Sequence, residues 1–219
     1  MGTVHVVQPG EHLAGIAAAH GFSSFRTIFD HPDNAQLREL RKNPNLLLPG
    51  DTVVIPDKEI REEERVTEAK HTFVLAVDRL TLRVKLLDLD DKPVEGECLL
   101  RAEGKEEPME QINKVYESDI GAKVTEAIML PPPRADGIRR LPVNLAVGFL
   151  NPIQDVTGQR ERLNNLGYFA GFSQTVNELQ FRWAVEEFQA DHREKDGLQV
   201  TGVCDPGKTQ KVLEREYGM

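Results

Sequence analysis

The apolar residues of this chain change their spacing twice, and each change marks a different kind of structure. Val4-His5-Val6-Val7 and Thr52-Val53-Val54-Ile55 are short valine-rich runs that read as strands. Between them, Leu13-Ala14-Gly15-Ile16-Ala17 and Phe25-Arg26-Thr27-Ile28-Phe29 carry apolar residues at helical spacing. A proline-glycine-acid turn abuts each valine run, Gln8-Pro9-Gly10-Glu11 after the first and Leu48-Pro49-Gly50-Asp51 before the second. Proline sets φ at the first turn position, and glycine supplies the positive φ that follows. Residues 1–57 therefore predict a small βααβ domain. Its second helix is followed by an unusually long connection, in which Asp33 to Arg41 predicts a further helical turn or two.

From Asp57 to Lys70, ten of fourteen residues are charged and no apolar period survives, so 58–70 reads as a solvated linker. Period-two alternation then fills 71–150. Strands are predicted at 71–77, 80–88, 97–102, 114–117, 118–121, 124–129, 138–141 and 144–149, with turns between them. Short strands at such intervals predict a small antiparallel β-sandwich. After Asn151-Pro152 the period becomes helical through 219. Gly158–Tyr168 predicts one helix closed by Gly167. Phe181, Ala184, Val185 and Phe188 line one face of a second. Asp205-Pro206 offers a cap and a first-turn proline for a third, running through Val212-Leu213. The fold class is α+β multidomain: a βααβ domain, a β-sandwich and a three-helix domain.

Charge narrows the partners. A net charge of -9 repels a phosphate backbone or an anionic bilayer, so neither nucleic acid nor a membrane surface is expected to be a partner. No apolar run reaches the ~20 residues that cross a bilayer. The first strand begins at Thr3, which leaves no room for a signal peptide, and a cytoplasmic start is expected. Cys98 and Cys204 lie in different predicted domains and suit a reduced compartment, with a disulfide between them left open. The six histidines show no metal-ligand spacing, and no nucleophile-elbow or phosphate-loop pattern occurs. Paired carboxylates need no adjacency in sequence. Residues 1–57, 71–150 and 151–219 each resemble domain types that ordinarily lack catalysis, so the resemblance implies a protein with no catalytic site, cofactor or metal.

Three resemblances carry the functional reading. Val7-x-Pro9-Gly10-Glu11-x-Leu13-x-x-Ile16-Ala17, then Asn43-Pro44-Asn45-Leu46 and Leu47-x-Pro49-Gly50-Asp51-x-Val53-x-Ile55-Pro56, resembles a LysM domain. That resemblance implies binding of N-acetylglucosamine polymers, peptidoglycan or chitin. The run Val84 to Gly96 and the turn Tyr116 to Val124 resemble transthyretin-like and carboxypeptidase-regulatory-like domains, which serve as spacers. Gln159, Leu163, Leu166-Gly167-Tyr168, Ala184-Val185, Phe188-Gln189 and Gly197 to Thr209 resemble a three-helix peptidoglycan-binding domain. The loop 172–178 lacks the glycine-containing motif usual there. The domain order resembles proteins that accompany the spike and baseplate of contractile injection systems, including type VI secretion. Such an apparatus is built in the cytoplasm and meets the wall later.

The resemblance places a glycan groove between two walls. Gln8, Gly10, Glu11, His12 and Leu13 form one, and Asp30, His31, Leu46, Leu47 and Leu48 form the other. Leu13, Leu46 and Leu48 read equally as core, and the insertion after His31 would either lengthen the groove or cover it. Leu179 and Trp183 form a second apolar stripe on the second C-terminal helix. It either docks on the β-sandwich, which is the expected outcome, or meets a partner. Two functions follow: a non-catalytic wall-binding protein, or an adaptor whose binding folds grip spike, baseplate or effector proteins and no sugar.

Overall fold

The computed structural model describes residues 2–59, 62, 64–72, 74, 79–88, 90, 92–134, 136–171 and 177–217. It is a mixed α+β chain in two compact units. The first comprises Met1–Asn45 with Pro49–Phe149, and the second Leu46–Leu48 with Leu150–Met219. Most of the strand predicted at 71–77 and most of the loop 172–178 lie outside the described residues. Described positions of 58–70 are exposed and without helix or strand.

In the first unit, β1 (Thr3–Val6) pairs antiparallel with β2 (Thr52–Ile55), Val4 opposite Val54 and His5 opposite Val53. Between them come α1 (Leu13–Ala19), α2 (Arg26–Phe29), a 3-10 turn (Pro32–Asn34) and α3 (Ala35–Leu40). Leu13, Ile16 and Ala17 of α1 are buried, as are Ile28 of α2, Leu37 of α3, and Val53 and Ile55 of β2. The insertion has a definite task. Asn34, 2% exposed, donates from Nδ2 to the carbonyls of Ile28 (2.8 Å) and Val54 (2.7 Å), while its Oδ1 accepts from Val54 N–H (2.8 Å). One amide side chain thus stands in for a missing strand beside β2, and an otherwise bare edge is satisfied. The buried Arg41–Asp51 pair, with two bonds of 2.7 and 2.9 Å, ties the end of the insertion to the second turn.

Two antiparallel sheets follow in the same unit, β3 (Leu80–Val84), β7 (Val115–Ile120) and β6 (Glu110–Ile112) in one. The other runs β5 (Lys105–Pro108), β4 (Leu99–Ala102), β8 (Glu126–Leu130) and β9 (Val143–Ala146). They share one core of Cys98, Leu100, Met109, Tyr116, Ile120, Val124, Ala127 and Met129. The two segments predicted at 114–117 and 118–121 are one strand, β7. Strand β5 escapes a pattern search because Lys105-Glu106-Glu107-Pro108 is wholly exposed at the sheet edge and carries no apolar alternation, and β6 because it is only three residues long. The strand expected at 138–141 is not there. Arg134 and Ile138 are instead joined through a turn at Gly137, and Ile138 and Leu141 are exposed.

The second unit packs α4 (Val156–Asn165), α5 (Glu178–Asp191), α6 (Arg193–Asp196) and α7 (Thr209–Tyr217). Its core comprises Ile153, Leu163, Ala170, Ala184, Val185, Phe188, Leu198, Cys204, Val212 and Leu213, with Phe181 at the margin. Asp155 caps α4 through Thr157 N–H, and Gly167, at φ 98°, closes it as expected. Asp205 caps as read from sequence, accepting from the N–H groups of Lys208 and Thr209, but α7 begins only at Thr209. Gln189 is the polar hub. Its Nε2 donates to Thr201 Oγ1, Val203 O and Thr209 Oγ1, and its Oε1 accepts from Thr201 and Gly202 N–H. Cys98 and Cys204 are free and buried in different units. Burial pushes their thiols up to about 11 and about 12, which keeps both protonated and unreactive.

Candidate functional site

The first turn is built by backbone geometry and then locked by side chains. Gly10 has φ 85°, Glu11 N–H donates to Gln8 O (3.1 Å), and Glu11 Oε2 accepts from Gln8 N–H (2.8 Å) and bonds His5 Nε2 (2.8 Å). Burial raises the Glu11 carboxyl, but those two hydrogen bonds outweigh it and hold the group below its ordinary range. Gln8 is exposed; its Nε2 donates to Val6 O (3.0 Å), leaving Oε1 as an acceptor. His12 caps α1, accepting from Gly15 N–H at Nδ1 (3.2 Å), so its ring proton sits on Nε2. Burial of His12, 5% exposed, lowers its pKa, with an Asn45 contact opposing. Asn45 Oδ1 also accepts from Ala14 N–H (3.2 Å).

The second turn is tied to the first. Gly50, at φ 96°, donates its N–H to Val7 O, and Val7 N–H donates to Asp51 O, both at 2.9 Å. Both Pro-Gly turns therefore sit at one end of the β1–β2 ladder.

The predicted glycan residues separate into groups. Gln8, Gly10, Glu11, His12 and Leu13 form one continuous turn and helix start, in which His12 and Leu13 are buried. Asp30 is exposed and ends α2, and the carbonyl of His31 accepts from Arg38. These seven belong to the first unit. Leu46 and Leu47, 9% and 2% exposed, and half-buried Leu48 group with the second unit. Leu179 and Trp183 are 53% and 56% exposed and stand outside the core of their own unit.

A neighbour not foreseen from sequence meets the first turn. Gly148, φ 90°, lies so close that a Cβ there would stand 2.5 Å from Gly10 O and 2.8 Å from the His12 ring. The tip of the Phe149 ring fills the space where Gly10 lacks a side chain, 2.6 Å from a Cβ built on Gly10. Ala122 O likewise stands 3.1 Å from a Cβ built on Gly15. Glycines thus line a seam that joins the first turn and α1 to the ends of β7 and β9 within one unit. The sequence signal was present as Gly148-Phe149, but alternation assigned both residues to a strand that ends at Ala146.

The described residues hold one group of three potential metal ligands, His192, Asp196 and Glu216, within 4.8 Å of one another. Their carboxylates are already used: Arg215 grips Asp196 with two bonds and also reaches Glu216, which Lys195 pairs at 3.0 Å. No described helix is long and apolar enough to cross a membrane. Comparisons with protein-family models, curated proteins and solved structures found no match.

Proposed function

We propose that this chain is a non-catalytic binding protein that docks on peptidoglycan or a related N-acetylglucosamine polymer, as an accessory of a contractile injection or type VI secretion apparatus. The observation that carries the reading is the paired arrangement of the Pro9-Gly10 and Pro49-Gly50 turns on one β1–β2 ladder, each glycine at positive φ. This is the frame that the LysM-like sequence implies. Exposed Gln8 in the first turn suits neutral, hydroxyl-rich ligands, as would exposed Asp30 and half-buried His31 at the end of α2. The sheets would then act as a transthyretin-like spacer, and the helical unit as a peptidoglycan-binding-like module. A cytoplasmic start followed by delivery to the envelope fits an accessory of that apparatus.

Sedimentation of the full chain with purified peptidoglycan sacculi tests this, with a titration of N-acetylglucosamine pentamer at millimolar ligand, a regime of about 4 kcal/mol. Retention on sacculi and shifts at Gly10 and Glu11 amides are expected. A chain that stays in the supernatant and shows no shifts at that concentration defeats the reading. A specific observation favours the second function, a structural adaptor for spike, baseplate or effector proteins: Gly148 and Phe149 cover Gly10 and His12, which the sugar reading assigns to ligand.

A further inference from the structure

We propose that Phe149 is itself a ligand-binding residue, the aromatic platform of a glycan site built jointly by the first turn and the end of β9. The inference rests on the glycan-binding reading and changes where the sugar sits. The predicted wall offers no aromatic carbon ring of its own, and its apolar member Leu13 is fully buried. Sugar rings have apolar CH faces, and sites for them pair a flat apolar surface with a few polar groups.

Phe149 supplies that surface from 139 positions beyond Gly10 in sequence (149 − 10). Its ring tip is seated on Gly10, yet the residue remains 47% exposed. The backbone behind it is pinned, since Gly148 is wedged against Gly10 O and the His12 ring and cannot shift toward either. Pre-organisation of this kind lowers the ordering cost of binding. Polar complement lies in the same four-residue turn, where Gln8 keeps Oε1 open to an N-acetyl N–H or a sugar hydroxyl. Exposed Pro9 lies between Gln8 and Gly10. The sugar therefore meets the outer side of the turn, across Gln8, Pro9 and the Phe149 ring. His12 and Leu13 serve beneath as support.

The test is an NMR titration of the full chain with N-acetylglucosamine pentamer, repeated for Phe149→Leu and Phe149→Trp. Leucine keeps the notch over Gly10 filled and removes the aromatic face; tryptophan keeps a face. Spectral dispersion of the Gly10, His12 and Gly15 amides shows whether the seam is intact in each variant. Phe149→Leu is expected to raise Kd about tenfold or more, with Phe149→Trp within about threefold of the parent. Equal or tighter binding by Phe149→Leu overturns the proposal while leaving glycan binding standing, and a tighter value identifies the ring as a cover. Failure of the parent chain to bind pentamer or sacculi overturns this inference together with the reading beneath it.

Discussion

Replacing Gly148 by alanine measures the seam that closes over the first turn. Two costs add. At φ 90°, an L side chain sits in the left-handed half of the map, which costs about 1–2 kcal/mol. The new methyl carbon would also lie 2.5 Å from Gly10 O and 2.8 Å from the His12 ring, well inside van der Waals contact. A backbone carbonyl and a buried imidazole must then retreat, and overpacking of this kind costs about 1–3 kcal/mol. Reduced freedom of the unfolded chain returns about 0.4–1 kcal/mol. The net expectation is a loss of about 2–4 kcal/mol, or a fall of roughly 5–15 °C in Tm at 2–4 °C per kcal/mol for a unit of this size. Gly104→Ala is the internal control. Its φ is 74° and nothing lies within 4 Å of its would-be Cβ, so only the conformational cost of about 1 kcal/mol applies. Calorimetry of both variants, with limited proteolysis to see whether residues 1–57 become separable, gives the answer. Equal melting of Gly148→Ala and Gly104→Ala would mean that the close approach carries no energy, and the seam as described would be wrong.

Further outcomes follow from the same geometry. Gln189→Leu should cost about 3 kcal/mol in chemical denaturation, because it leaves the N–H groups of Thr201 and buried Gly202 unpaired; a loss under about 1 kcal/mol would show the hub to be dispensable. Trp183→Ala should change stability by less than about 1 kcal/mol, since the side chain is 56% exposed; a large drop in Tm would show it packed in solution. His12 has a folded-state pKa below its ordinary 6.5, so the unfolded chain binds more protons across that window. Stability of the first unit should thus be full above pH 6.5 and decline as pH falls below it, and His12→Asn, which can still cap α1, should flatten that slope in urea melts.

Sequence pattern reached what one element decides by itself. The βααβ order, the helix faces and the capping roles of Asp205 and Gly167 rest on residues a few positions apart, and local spacing is enough to see them. It missed what distant residues decide together. The stretch Asp33 to Arg41 reads as a further helical turn or two, yet within it the Asn34 amide completes the edge of β2 twenty positions away. β5 reads as a charged turn because an exposed edge strand needs no apolar alternation. Leu179 and Trp183 read from sequence as a second stripe opposite the core face of α5, and they stand outside the core of their unit. For the candidate site, residue types and the two turns were visible. Leu13 was legible as core as well as wall, but the burial of His12 and the arrival of Gly148-Phe149 were not visible.

That arrival reconciles the two functions in one place. A free Pro-Gly turn would present its amides directly, and a fully covered one would serve only to join domains. Here the cover is partial: Gly148 lies against Gly10 O and His12 and the tip of the Phe149 ring against Gly10, while Gln8 and Pro9 are exposed and Phe149 stays 47% exposed. On the proposed reading, these contacts hold the turn in place and the exposed residues meet the ligand. Gly10, Gly15 and Gly148 permit this close approach, since a side chain at any of them would collide with the Phe149 ring, Ala122 O, or Gly10 O and the His12 ring. The adaptor and the wall-binding readings therefore differ at a single residue's outer face. Substitutions at Phe149 separate them, whereas substitution of fully buried Leu13 would disturb the core beneath the turn.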